Sequence, residues 1–280
     1  MQNQWAGLFA QFRPKLYSRR RPLLLINGLA EQPESWYRNT RFWSRYFDVH
    51  MPGILAYDGP RISALVDARK PITVDYLVGE FLEYLTRYVP STPCHIVSSS
   101  LGGKIAVELA VRRPDLVDRL VLICPSGMGD EEKLPIMDGV KGDAYSLVRS
   151  VFHRPKFVEK DLLRFYKRAM EDRRWKTALI RTVRGTLDYS VRDKLKELEA
   201  QTLLVTGQHD KICDPKTAAT AADELPNGHF LEIPQCGHAP QIEKHALINR
   251  LVTFFLTDPK PKAKPAWHQL MTVKPSQAKP

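Results

Sequence analysis

Along this chain, short runs of consecutive apolar residues alternate with longer stretches whose apolar positions recur every three or four residues. Leu23-Leu24-Leu25-Ile26, Ile96-Val97, Leu120-Val121-Leu122-Ile123 and Leu203-Leu204-Val205 belong to the first kind. Unbroken runs of that length fit strands buried on both faces, as in a parallel sheet covered by helices. Trp36 to Phe47, Thr73 to Val89, Leu101-Ile105-Leu109 and the segment ending near Phe255 belong to the second kind and predict helices. Thr73 to Val89 sets Tyr76, Leu77, Phe81, Leu85 and Tyr88 on one stripe and stops at Pro90. The aromatic residues of Trp36 to Phe47 are expected in the core. The class this pattern predicts is α/β, a mostly parallel central sheet flanked by helices.

Between Gly127 and about Ser190 the alternation gives way to charged, helical sequence. Lys160 to Met170 and Arg173 to Val183 are its clearest helices, with Phe152, Phe157, Phe165, Tyr166 and Trp175 interleaved. The expected organisation is a basic lead at 1–21, a first half of the core at 22–126, a helical insertion at 127–190, a second half of the core at 191–258, and a Lys/Pro-rich tail at 259–280. The tail has few apolar residues and is expected to be disordered.

Composition narrows the function classes. With 43% hydrophobic and 26% charged residues over 280 positions, an ordinary globular domain is expected. No apolar run approaches the roughly 20 residues that span a bilayer, and Gln2, Asn3, Gln4 and then Arg19-Arg20-Arg21 leave no apolar signal core; the expected location is cytoplasmic. Cys94, Cys124, Cys213 and Cys236 show neither a C-x-x-C pair nor metal-ligand spacing, so reduced thiols in or near the core are expected. The net charge of +11 is concentrated in both tails and in residues 141–194, which carry fifteen Lys/Arg against seven Asp/Glu. No RNP aromatic motif, zinc finger or KH loop is present, so nucleic acid is not an expected partner. The basic excess reads first as a solvated surface, and beyond that allows an anionic substrate group or contact with an anionic membrane surface.

The chemistry gathers at three places. Cys94 to Ala106 reads as strand, abrupt small-residue turn and helix start, and puts Ser100 at the corner of Ser98-Ser99-Ser100-Leu101-Gly102. A serine on such a strained corner projects its hydroxyl above the sheet, with helix N-terminal amides aimed at whatever it attacks. The pattern is Gly-x-Ser-x-Gly with Ser98 at the first glycine, where a small side chain is what the turn needs. Farther on, Leu203 to Gly207 leads into a loop carrying Asp210, and Ile233 into a Gly237-His238 loop before a helix. Asp214 rivals Asp210, but Asp214-Pro215 is well explained as a helix cap. His209 is expected to be a plain loop residue.

The order Ser, Asp, His from successive strand ends resembles the α/β-hydrolase superfamily over roughly residues 22–257. The resemblance implies a triad of Ser100, Asp210 and His238 and an oxyanion hole from the backbone N–H groups of Leu101 and Leu29, the latter in Asn27-Gly28-Leu29 where the family has His-Gly-x. It also implies a helical lid at 127–190 and no cofactor or metal. A carboxylesterase working through an acyl-serine on a small ester or acyl substrate is the first expectation. The second is a carbon–carbon bond hydrolase of ring-cleavage products, which Val191 to Leu195 resembles, although Ala239 stands where those enzymes carry tryptophan. A non-catalytic binding protein on this fold belongs to a different class and is at odds with the presence of all three triad residues. The net +8 of residues 141–194, if it faces Ser100, would favour substrates that carry a carboxylate.

Overall fold

The computed structural model describes residues 20–257 except 32, 58, 90–92, 130–143 and 159, so the expectations for the lead and the tail lie almost wholly outside the described residues. Six strands form one sheet: β1 Arg21–Ile26, β2 Phe47–His50, β3 Cys94–Ser99, β4 Val117–Ile123, β5 Gln201–Gly207 and β6 Gly228–Ile233. Their order is β2-β1-β3-β4-β5-β6, and every neighbouring pair is parallel. The apolar runs have the two-faced character the sequence predicts. Leu24, Ile26, Ile96, Leu120, Leu122 and Leu204 enter one core. Leu23, Leu25, Val97, Val121, Ile123, Leu203 and Val205 enter the other. Side chains alternate along a strand, so an unbroken apolar run feeds both layers at once.

The first layer is covered by α2 Pro60–Asp67, α3 Val74–Tyr88, α4 Leu101–Arg112 and α8 Pro215–Ala222, the second by α1 Tyr37–Trp43 and α10 His245–Thr257. Thr73 caps α3 by accepting the Tyr76 N–H at 3.2 Å, and Leu77, Val78, Phe81 and Leu85 bury its apolar stripe. Tyr88 leaves that stripe and is exposed. The Trp36 to Phe47 segment also differs from a single helix. It is a 3-10 turn at Pro33–Trp36, then α1, then a turn into β2 that begins at Phe47. Trp36, Trp43 and Phe47 are core residues, but Tyr37 is 56% exposed.

Between β4 and β5 the chain leaves the sheet to form α5 Ala144–Val151, α6 Lys160–Glu171 and α7 Arg173–Thr186. It departs at Gly127 and returns at Val191, whose N–H donates to the Gly127 carbonyl at 3.0 Å. Asp172 caps α7 through the Trp175 N–H at 3.1 Å, while Trp175, Ala178, Leu179 and Val183 bury against the first core. Gly185 is required where α7 meets the core, since a Cβ there would lie 2.2 Å from the Ile72 carbonyl oxygen. Among the described residues no helix is long and apolar enough to cross a membrane.

Candidate active site

Ser100 occupies the corner between β3 and α4 with φ +50° and ψ −118°. An L-residue in that region carries strain of about 1–3 kcal/mol and keeps the conformation only where its surroundings impose it. Here they do. Ser100 N–H donates to the Ile123 carbonyl at 3.1 Å, and the Ser100 carbonyl accepts from Gly103 N–H at 2.8 Å and Ser126 N–H at 3.1 Å. Close packing dictates the glycines, since a Cβ on Gly102 would meet the Ile26 oxygen at 2.4 Å and one on Gly103 would meet Pro125 Cβ at 2.6 Å. Ser98 fits the first position, fully buried, with its hydroxyl donating to the Val121 carbonyl at 3.3 Å.

The turn after β5 is closed by Asp210 N–H on the Gly207 carbonyl at 3.0 Å. Asp210 Oδ1 accepts the Ile212 and Cys213 N–H groups at 2.8 and 3.1 Å, and its Oδ2 accepts from His238 Nδ1 at 2.8 Å. A carboxylate only accepts, so Nδ1 carries the imidazole proton and the lone pair of the ring lies on Nε2. Ser100, Asp210 and His238 are 9%, 8% and 7% exposed, which keeps competing water from their hydrogen bonds. Asp214 instead caps α8, accepting Thr217 N–H at 2.9 Å. His209 is exposed and stacks on His153 at 4.1 Å between ring centroids.

The His238 loop is held from two sides. His238 N–H donates to the carbonyl of Val151, the last residue of α5, at 2.8 Å. Glu243, at the end of the short helix α9 Pro240–Glu243, accepts Gly237 N–H at 2.7 Å, His153 N–H at 3.0 Å and Arg154 N–H at 3.2 Å. All four cysteines are buried and none is in a disulfide. Burial and the Asp210 charge push the Cys124 thiol well up, and burial with the Glu243 charge does the same to Cys236, so both stay protonated. Among the described residues Cys124, Asp210 and His238 form the one cluster tight enough for a metal ion, with ligand atoms within 4.8 Å. The Asp210–His238 hydrogen bond already joins two of those three groups.

Leu29 and Leu101 lie together with Ser100 around a small cavity of about 20 Å³, room for roughly one water-sized group. As the first residue of α4, Leu101 presents an N–H with no intrahelical acceptor. The loop carrying Leu29 is anchored by Glu31, a residue the sequence reading did not single out. Glu31 Oε2 accepts Gly28 N–H at 2.7 Å, and its carbonyl accepts Asn27 Nδ2 at 3.1 Å. Ala30, at φ +57°, donates its N–H to Tyr57 at 3.4 Å and accepts the Tyr166 hydroxyl at 2.7 Å. Burial pushes both phenols up, so they remain neutral hydrogen-bonding groups.

A cavity of about 600 Å³ opens beside Ser100 and His238. The helical insertion supplies much of its apolar wall, with Val148, Phe152, Phe157, Leu162, Phe165 and Tyr166. Glu31, Glu34 and Asp161 also line it, and among the described residues no Lys or Arg does. Among the described residues the condition for a carboxylate preference, a basic insertion facing Ser100, is therefore not met, and the reading of a solvated basic surface stands. Many of the insertion's cations tie it to the core. Arg174 pairs with Asp67 and Arg181 donates to the Leu65 and Val66 carbonyls at 3.2 and 3.0 Å; just past the insertion, Lys194 pairs with the buried Glu108 of α4. Others stay at the surface, as Arg164 does with Asp161. Lys133 and Lys141 lie outside the described residues.

A parallel sheet with a serine on a strained strand-to-helix corner, and an acid and a histidine on the loops after β5 and β6, defines an α/β hydrolase. The family model described as "Alpha/beta hydrolase family" matches residues 23–251, and the chain belongs to that family. It is 22% identical over 260 residues to monoacylglycerol lipase abhd6-B of Xenopus laevis, covering 84% of this chain and 75% of that one. To the 2-hydroxymuconate semialdehyde hydrolase of a Pseudomonas species it is 26% identical over 268 residues, covering 85% and 87%. The solved meta-cleavage product hydrolase of Pseudomonas fluorescens superposes with a TM-score of 0.68 at 20% identity, over 84% of this chain and 90% of that one. These relatives make the chain a hydrolase and divide between ester and carbon–carbon bond cleavage.

Proposed function

We propose that this hydrolase cleaves neutral carboxylic esters with a hydrocarbon-rich acyl group, through an acyl-serine on Ser100. The observation that carries the reading is the lining of the large cavity, which is apolar and aromatic with carboxylates and no Lys or Arg among the described residues. A ring-cleavage product carries a carboxylate, which needs a cation or several N–H donors when it leaves water. A hydrocarbon chain needs only the apolar wall. Ala239, buried at the cavity where the carbon–carbon hydrolases carry tryptophan, supports the same choice.

In this mechanism His238 Nε2 takes the Ser100 proton as the oxygen attacks the ester carbonyl, and Asp210 holds the imidazole in the required tautomer and stabilises its charged form. The N–H groups of Leu101 and Leu29 receive the oxyanion, each worth roughly a hundred- to thousand-fold in rate. His238 then protonates the departing alcohol, and water attacking the acyl-serine completes the cycle. The insertion acts as a lid that selects the substrate and excludes water. The test pairs a fluorophosphonate probe with three substrates: a neutral p-nitrophenyl alkanoate, its ω-carboxylate analogue and a ring-cleavage enedione acid. Labelling of Ser100 and faster turnover of the neutral ester are expected. Faster turnover of either acid would overturn the reading.

A further inference from the structure

Ala30 is an L-residue at φ +57°, and phenols hold both of its main-chain polar groups. Its N–H donates to the Tyr57 hydroxyl at 3.4 Å, and its carbonyl accepts the Tyr166 hydroxyl at 2.7 Å. The two rings come from different parts of the molecule. Tyr57 follows the 3-10 turn Gly53–Leu55 in the first half of the core, whereas Tyr166 lies on α6 of the insertion, 136 positions from Ala30. Trp175 of α7 stands edge-on to both, its ring centroid 5.4 Å from that of Tyr57 and 6.4 Å from that of Tyr166.

The segment they grip is a four-residue turn. Glu31 N–H donates to the Gly28 carbonyl at 3.3 Å, with Leu29 and Ala30 at the two central positions. The positive φ of Ala30 is part of the turn's shape, and an L-residue holds it only at a cost of about 1–3 kcal/mol. The carbonyl that closes the turn belongs to the Gly28–Leu29 peptide unit. That unit is planar, so the Leu29 N–H points opposite to the Gly28 carbonyl, and its direction is fixed only while the turn is closed. Glu31 and Asn27 fasten the ends of the turn, and the two phenols fasten its centre.

We infer that Tyr166 is a positioning residue for the oxyanion hole, the contact through which docking of the insertion sets the Leu29 N–H beside Ser100. The inference rests on the roles proposed for Ser100 and Leu29 and adds the control of that donor. Of the two phenols only Tyr166 travels with the insertion, so undocking α6 releases the Ala30 carbonyl while Tyr57 stays in the core. The Tyr166 ring also lines the large cavity. Closing the cavity over a substrate and completing the oxyanion hole are therefore one movement.

Tyr166→Phe keeps the ring and removes only the hydroxyl. With p-nitrophenyl acetate and p-nitrophenyl laurate, kcat should fall by about ten- to hundredfold on both, with KM nearly unchanged, since a loosened donor forfeits part of what a lost one costs. A residue that only lines the cavity would leave the acetate rate untouched, and that result would overturn the inference. The second readout is the hole itself. Sulfur accepts hydrogen bonds weakly, so the intact protein should turn over an oxygen ester faster than its thionoester, and Tyr166→Phe should shrink that preference several-fold. An unchanged preference would place the effect of the hydroxyl elsewhere and overturn the inference. If no ester is turned over, the ester reading falls, and the rate at which a fluorophosphonate labels Ser100 decides. Labelling about tenfold slower in Tyr166→Phe supports the inference, and equal rates overturn it. No labelling of Ser100 in the intact protein would sink the site assignment and this inference with it.

Discussion

The main-chain N–H of His238 donates to the carbonyl of Val151 at 2.8 Å, so the loop that carries this histidine hangs from the last residue of α5. The insertion that walls the cavity and the loop that carries the imidazole are therefore one mechanical unit, and Glu243 locks it by collecting N–H groups from both sides. Glu243→Ala strands three N–H donors, Gly237 in a buried bond and His153 and Arg154 in part-buried ones. A displacement of about 1 Å at a catalytic group costs on the order of a hundredfold. The expected result is a fall in kcat of that order with a smaller change in KM, together with about 1–3 kcal/mol less stability in urea titration. Unchanged kcat would show that the loop holds its shape without Glu243.

Removing the proposed nucleophile should silence the enzyme without unfolding it. Ser100→Ala is expected to abolish hydrolysis of a p-nitrophenyl ester while leaving the melting temperature nearly constant, because the hydroxyl faces the cavity rather than a packing partner. More than a few per cent residual activity would assign the attack elsewhere.

The two aspartates after β5 make separable predictions. Asp210→Asn disturbs the hydrogen bond to His238 Nδ1 and should lower kcat by roughly ten-thousand-fold, as in other triads. Asp214→Asn alters only the cap of α8 and should change stability by well under about 1 kcal/mol with near-normal turnover. The reverse ranking in steady-state kinetics would hand the acid role to Asp214.

Gly102 is the most demanding position at the elbow. Gly102→Ala pushes a methyl group into the Ile26 and Asn27 carbonyl oxygens, which stand 2.4 and 2.8 Å from the Cβ position. Both strand and helix must move to relieve that contact, so loss of activity is expected together with a drop in thermal stability. A fully active alanine variant would contradict the close approach.

His95 sets a pH dependence of stability. It is 1% exposed, and although Asp118 lies 3.6 Å from Nδ1, burial together with the charges of Arg119 and Arg21 pushes its pKa down to about 3. Unfolded, it titrates near 6.5. Below that pH the unfolded chain binds a proton that the folded chain refuses, so stability should be lost progressively as pH falls from about 6.5 toward 3, at most about 1.4 kcal/mol per pH unit, and should be flat above 6.5 as far as this group is concerned. Urea midpoints of wild type and His95→Leu between pH 7 and 4.5 should differ in slope. Parallel curves would remove His95 as the source.

The strands and the elbow were legible because their signals are local. An apolar run such as Leu23 to Ile26 names its own burial, and Ser100 followed by Gly102 names a tight corner. Loop placement likewise separated Asp210 from Asp214, whose cap to Thr217 is a contact between near neighbours. The residues that escaped notice act through distant partners. Glu31 reaches Gly28 but also Gln241, 210 positions away. In sequence the Arg174 and Arg181 side chains are two cations of a basic segment, and in the structure they grip α2, because nothing in a linear charge count says which way a helix faces. For Glu243 a signal was present: it lies one turn beyond Ala239, so its carboxylate returns to the loop it follows.

The long excursion from Gly127 to Val191 also sets when the molecule can work. Ser100 and the four strands β1 to β4 leave the ribosome well before β5 and β6, and their docking beside β4 closes a loop that spans the whole insertion. Parallel pairings of such separation are slow and come late in folding. On the proposed triad, a chain ending before β5 would carry Ser100 with neither Asp210 nor His238, so hydrolytic competence would follow the last strand pairings. Acquisition of activity would then serve as a clock for completion of the sheet.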